Sequence, residues 1–204
     1  MSILVSALLL LAPQAQHQHH PPRSAGEYAK VLEDPKRDAW QKPHDVLMAL
    51  KLRPDEAIAD IGAGSGYFTR RFANHAGAVY AVDISRDLLA IIDKGGNPKI
   101  KTVLATAEDP KLAAGSVDTI FICDVLHHID HRGAYYAKLN EALKPGGRIV
   151  IIDFYKKQLP VGPPVSMKLS EEQVIGELQA AGFAKTASHS FLPNQYFLVF
   201  ERAK

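Results

Sequence analysis

A chain of 204 residues is long enough for one well-buried domain and short for two. Hydrophobic residues make up 47% of it and charged residues 23%, an ordinary composition for a globular protein. A net charge of +2, with the basic residues spread along the chain, argues against a nucleic-acid partner, and the one cysteine, Cys123, excludes an internal disulfide and a cysteine-based zinc cluster.

Residues 3–12 are apolar, too few to span a bilayer, which needs about 20. Followed by Pro13-Gln14-Ala15-Gln16, they read as the hydrophobic region of a secretory signal peptide, without a preceding Lys or Arg and without a clean A-x-A site. The expected organisation is a leader over residues 1–16, a disordered His/Pro-rich linker over 17–27 and one domain over 28–204. The leader implies export, with the cytoplasm as the alternative; a mature chain that begins at Met1 would remove the export reading. His17, His19 and His20 read as a solvated tail, because ordering a flexible segment around a metal costs entropy. No metal ligand set is expected elsewhere.

Residues 28–50 are expected to be helical in pieces, punctuated by Pro35 and Pro43, the last piece burying Val46, Leu47 and Leu50. Trp40, in the segment 38–43, has two readings: a lid over the site that follows, or plain helix packing. Strand and helix then alternate. Strands are expected at 57–61, 78–82, 100–104, 117–123 and 148–154, with helices at 67–74, from Ser85 to Gly95-Gly96, at 131–143, and from a Ser170/Gln173 capping box to Gly182. The runs 187–192 and 196–201 flank Pro193-Asn194 as a hairpin. This alternation predicts an α/β, Rossmann-like, doubly wound fold, a mostly parallel seven-stranded sheet closed by an antiparallel C-terminal hairpin strand.

In such a sheet, ligands lie beyond the carboxyl ends of the strands. Asp60-Ile61-Gly62-Ala63-Gly64-Ser65-Gly66 stands at one such end. Gly62 and Gly64 allow a tight turn and leave room for a ligand against the backbone; Gly66 lets the next helix start close to the sheet. Three glycines and two acids here have no packing rationale of their own. Asp83, ending the second strand, can accept both hydroxyls of a ribose. The G-x-G-x-G spacing differs from the G-x-G-x-x-G of dinucleotide sites, which disfavours a nicotinamide dehydrogenase. Asp60 suits a ligand that carries an ammonium and a sulfonium.

The run from Ala59 to Phe68 resembles the first motif of class I S-adenosylmethionine (SAM)-dependent methyltransferases. Ala81-Val82-Asp83-Ile84-Ser85 resembles their second motif, residues 115–129 their fourth-strand motif, and Leu143-Lys144-Pro145-Gly146-Gly147-Arg148 the turn before strand five. The subgroup of ubiquinone/menaquinone, sterol and arsenite methyltransferases is the most similar. The resemblance implies SAM as cofactor, released as S-adenosylhomocysteine. It implies that Asp60 and the backbone of Gly62, Ala63, Gly64 and Gly66 hold the methionine end, and that Asp83, with Ile84 after it, faces the ribose side. Where the family carries an aspartate for the adenine, this chain has Thr106, so the candidates are Glu108 or Asp109, or Thr106 itself or a backbone carbonyl. Cys123 and Asp124 are implied to lie beside the transferring methyl.

Asp124, His127 and His128 are the candidates for a general base, needed only if the acceptor must lose a proton. Each histidine has the alternative of packing against backbone. Tyr155, Lys156 and Lys157 read as surface residues. The expected activity is methyl transfer to a small molecule, with no membrane span. A non-catalytic SAM- or metabolite-binding domain and a cell-envelope protein or peptide methyltransferase are the alternatives.

Overall fold

The computed structural model describes residues 24–204. The leader over 1–16, the three histidines of the tail and most of the expected linker lie outside the described residues. Seven strands form one sheet: β1 (Ala57–Ile61), β2 (Ala78–Asp83), β3 (Ile100–Leu104), β4 (Val117–Cys123), β5 (Leu143–Phe154), β6 (Phe183–His189) and β7 (Gln195–Arg202). Their order is β3-β2-β1-β4-β5-β7-β6. The first five pair in parallel, β7 runs antiparallel between β5 and β6, and strand order reverses between β1 and β4. Every residue of β1 is buried, and β4 is buried but for Asp118, as strands covered on both faces must be.

Among the described residues, seven α-helices accompany the sheet: α1 (Ala25–Leu32), α2 (Arg37–Gln41), α3 (Pro43–Leu50), α4 (Thr69–Phe72), α5 (Arg86–Asp93), α6 (Arg132–Ala142) and α7 (Glu171–Ala180). On one face, Val46, Leu47 and Leu50 of α3 and Phe72 of α4 pack against Ile58, Phe121, Val150 and Phe197. Phe68, Phe72 and Phe121 meet there with ring centroids 4.9–5.6 Å apart. Such pairs add about 0.5–1.5 kcal/mol each beyond area burial. On the other face, Tyr135, Tyr136 and Leu139 of α6 and Val174 and Leu178 of α7 cover Ile120, Ile122, Ile149, Ile151 and Leu198. Pro43 opens α3 at its first turn, where the missing N–H costs nothing. Ser85 caps α5 by accepting the Leu88 amide.

Four boundaries differ from the expectation. The expected linker ends early, because Ser24 and Glu27 form a reciprocal capping box that starts α1 at Ala25. The helix expected over 67–74 shrinks to the four residues of α4, since the glycine loop draws Ser65 to Phe68 into turns. β5 begins at Leu143 rather than after Gly147; the Pro145-Gly146-Gly147 turn is a bulge in its pairing with β4. β6 begins at Phe183, four residues before the expected run. Ser170 caps α7 through the Gln173 amide, but the Gln173 side chain turns to Glu177, so the expected box is half made. Among the described residues, no helix is long and apolar enough to cross a membrane.

Candidate active site

The glycine loop leaves β1 at the point where strand order reverses. The amides of Gly62 and Ala63 both donate to the Val82 carbonyl, at 2.8 and 3.0 Å, tying the loop to β2. The Gly64 amide donates to Asp83 Oδ2 at 2.8 Å, and Asp83 Oδ1 accepts the Ser85 amide at 2.8 Å. Asp83 thus straps the loop with a carboxylate 8% exposed. Gly62, Gly64 and Gly66 all take positive φ, at 71°, 56° and 97°, which an L side chain adopts only with strain. The glycines also have a packing reason, contrary to expectation. A Cβ on Gly62 would lie 2.2 Å from Val125 Cγ2, and one on Gly64 would lie 2.8 Å from Leu32 Cδ1. On Gly66 it would crowd Arg70 and Ile92 rather than the sheet.

Leu32 belongs to a cap made by α1 and α2. Ser65 Oγ donates to Glu33 Oε1 at 2.6 Å, and Arg70 Nη2 reaches the same oxygen at 2.5 Å. The Tyr67 hydroxyl donates to Asp38 Oδ1 at 2.5 Å; burial, with Asp38 beside it, holds this phenol well above its usual range. The Arg37 guanidinium lies on the Tyr67 ring, 4.0 Å from its centroid. Trp40 is half-buried and meets Phe154 at 5.8 Å, so it both packs and forms part of the cap.

Below the cap, four side chains close a ring. Arg37 donates through Nε and Nη2 to Gln41 Oε1. Gln41 Nε2 donates to Gln195 Oε1 at 2.9 Å, and Gln195 Nε2 to Asp124 Oδ1 at 2.5 Å. Arg37 Nη2 completes it 3.6 Å from Asp124 Oδ2. Asp124 takes φ of 60°, an uncommon value for a side-chain-bearing residue. Gln41 Nε2 also lies 3.5 Å from Cys123 Sγ. Burial raises the Cys123 thiol well above its usual range, which keeps it neutral.

Two carboxyls here are poised near neutrality. Burial pushes Asp60 up to about 6, against the Thr69 hydroxyl, which donates to Oδ2 at 2.6 Å, and against Arg37. Burial likewise pushes Asp124 up to about 7, opposed by Arg37 and reinforced by Asp153.

Of the two histidines, His127 is buried and His128 exposed. His127 Nδ1 lies 2.8 and 3.0 Å from the carboxylate oxygens of Asp153, at the end of β5. A carboxylate only accepts, so this contact assigns the ring proton to Nδ1 and leaves Nε2 as the lone-pair nitrogen. Asp153 is fully buried and also accepts the Phe154 amide at 2.8 Å. The His127 and His128 rings lie 4.2 Å apart.

Ile84 is 66% exposed at the end of β2. Glu108 is exposed, whereas Asp109 is engaged by the Lys111 amide at 2.7 Å and its ammonium at 3.1 Å. Asp60, the loop, Asp83, Cys123, Asp124 and His127 therefore gather at the carboxyl ends of β1, β2 and β4. Arg37, Asp153 and Gln195 join them without having been anticipated, as does Gln41 from the segment 38–43 read as a lid. Asp153 alone carried a signal: an acid near the end of an apolar strand, as at Asp60 and Asp83.

Residues 59–151 match the family described as Methyltransferase domain. The ubiquinone/menaquinone biosynthesis C-methyltransferase UbiE of Ectopseudomonas mendocina is 30% identical over 118 residues, 54% of this chain and 46% of the relative. UbiE of Burkholderia vietnamiensis is 30% identical over 131 residues, 60% of this chain and 52% of the relative. The chain spans about half the length of these curated relatives. A SAM-dependent methyltransferase from Aquifex aeolicus superposes with a TM-score of 0.79 at 22% identity, covering 85% of this chain and 96% of that one. DhpI in complex with SAH superposes with a TM-score of 0.71 at 19% identity, covering 88% and 91%.

Proposed function

We propose that this chain, which carries a class I SAM-dependent methyltransferase domain, transfers a methyl group from SAM to a small-molecule acceptor. The observation that carries the reading is the pair of buried carboxylates, Asp60 and Asp83, on either side of a G-x-G-x-G loop at the sheet's switch point. These residues fit SAM. Asp83 spends one lone pair of Oδ2 on the Gly64 amide and one of Oδ1 on the Ser85 amide, and keeps others for ribose hydroxyls. Asp60 and Asp124 offer negative charge to an ammonium and a sulfonium. The loop amides and Asp60 would hold the methionine end. Ile84 would stand at the adenine end with Glu108 or Asp109, the latter sharing its carboxylate with Lys111.

SAM, when bound, supplies a methyl group activated by its sulfonium. Positioning the acceptor against it can account for most of the acceleration. Where the acceptor must lose a proton, His127 is the favoured base over Asp124 and His128. Its Nδ1 proton is held by buried Asp153, which orients the ring and would stabilise the imidazolium formed at Nε2. A small acceptor is favoured because residues 155–170, between β5 and α7, insert no further domain.

Titration calorimetry with SAM and NAD, followed by transfer of labelled methyl from SAM into fractionated extract, tests the proposal. SAM is expected to bind and NAD not to. Label should enter one small-molecule fraction, and His127→Asn should slow its entry by about 100-fold or more while SAM affinity stays unchanged. SAM binding with no label in any fraction would instead favour a non-catalytic binder.

A further inference from the structure

The cap and the loop after β5 share a row of stacked groups. Arg37 lies 5.9 Å from the Trp40 ring centroid, Trp40 5.8 Å from Phe154, and the Lys168 ammonium 5.7 Å from Phe154. The row is therefore cation, ring, ring, cation. Its two cations differ in one respect. Arg37 is satisfied: Gln41, the Leu32 carbonyl and Asp124 take its donors and its charge. Lys168 is not. It is 2% exposed, and its ammonium donates to one group, the Lys157 carbonyl at 2.8 Å. Among the described residues no carboxylate lies within ion-pair distance of it.

An ammonium has three protons to donate, and burying it without an opposite charge is costly. A loop staple would need only one neutral donor. Its own loop supplies no acid either, although Glu171 and Glu172 open α7 directly after it. Residues 155–170 contain three lysines, Lys156, Lys157 and Lys168, and no acidic residue. Gly162, at φ of 92°, presses the loop onto Phe154, where a Cβ would lie 2.6 Å from the ring. Phe154 in turn follows Asp153, the partner of His127, and pairs across the sheet with Gln195 of the Asp124 ring. Lys168 thus stands one aromatic ring away from the residues placed at the reacting end of the site.

We propose that Lys168 is a specificity-determining residue that pairs with an anionic group, a carboxylate or an acidic oxygen, on the methyl acceptor, whose apolar body lies against Trp40 and Phe154. This deepens the methyltransferase reading and rests on it. Phe154 holds the ammonium by its ring face.

Benzoate and benzamide serve as probes, matched in shape and differing in charge. Each is titrated into the full chain saturated with S-adenosylhomocysteine. Benzoate is expected to bind about tenfold more tightly than benzamide or better, as one charge-assisted contact allows. Lys168→Met should abolish that preference and Lys168→Arg should keep it, both with unchanged S-adenosylhomocysteine affinity. Equal binding of the two probes, no binding of benzoate, or a preference that survives Lys168→Met would overturn the proposal. The wild-type comparison decides by itself if a variant fails to fold. Loss of S-adenosylhomocysteine binding in the wild type would count against the methyltransferase reading instead.

Discussion

The Asp83 carboxylate accepts the backbone amide of Gly64 at 2.8 Å, across a gap of 19 residues. The residue proposed to hold the ribose is therefore also the strap that shapes the loop on which the methionine end would rest. Binding and local folding are coupled through one side chain.

Replacing Asp83 with alanine is accordingly expected to do two things at once. It should weaken SAM by at least about tenfold, the worth of one charge-assisted hydrogen bond, and destabilise the fold by about 1–3 kcal/mol through the orphaned Gly64 and Ser85 amides. Calorimetry and denaturant unfolding measure the two separately. A variant that binds SAM as the wild type does would end the ribose assignment, whatever its stability.

Gly62→Ala tests the packing role of the glycines. Positive φ alone costs about 1–2 kcal/mol, and the new methyl would meet Val125. Adding Val125→Ala should recover the steric part and leave the backbone part, so the two changes together should cost less than their sum. Strict additivity of the unfolding free energies would show that the contact with Val125 plays no part.

The two raised carboxyls make a prediction about pH. Asp60 at about 6 and Asp124 at about 7 hold protons in the folded protein that the unfolded chain, near 3.8, has already released. On these groups stability falls as pH rises through that window, because the unfolded state binds fewer protons there. Their ionised forms favour a cation. The affinity of SAM relative to the uncharged thioether S-adenosylhomocysteine should therefore rise several-fold between about pH 5.5 and 8. Asp60→Asn should flatten that rise. A ratio that stays level in the wild type would mean that neither carboxyl senses the sulfonium.

What could be read in the sequence was what depends on near neighbours. The glycine loop, Asp83 after its strand and the Ser85 cap are local patterns with local physical causes, and the sheet followed from their alternation. The ring under the cap was not legible. Gln41 and Gln195 are 154 positions apart, and neither sits in a spacing that announces a partner. Arg37 stands in no motif, and only the fold brings Tyr67, Gln41 and Asp124 around it. Asp109, one of two acids named for the adenine, also closes a turn with Lys111, a contact that its own short sequence neighbourhood could have suggested.

The insertion of β7 between β5 and β6 has a bearing on how the protein comes into being. Gln195 is the first residue of that strand, and of the four ring residues it is the last to be synthesised. A nascent polypeptide still short of it has Asp60, the loop and Asp83 in hand, but no amide to grip Asp124 and no β7 acceptor for Gln41 Nε2. The residues proposed to hold SAM are thus synthesised before the acceptor side can be latched, and a nascent chain short of Gln195 carries an open centre.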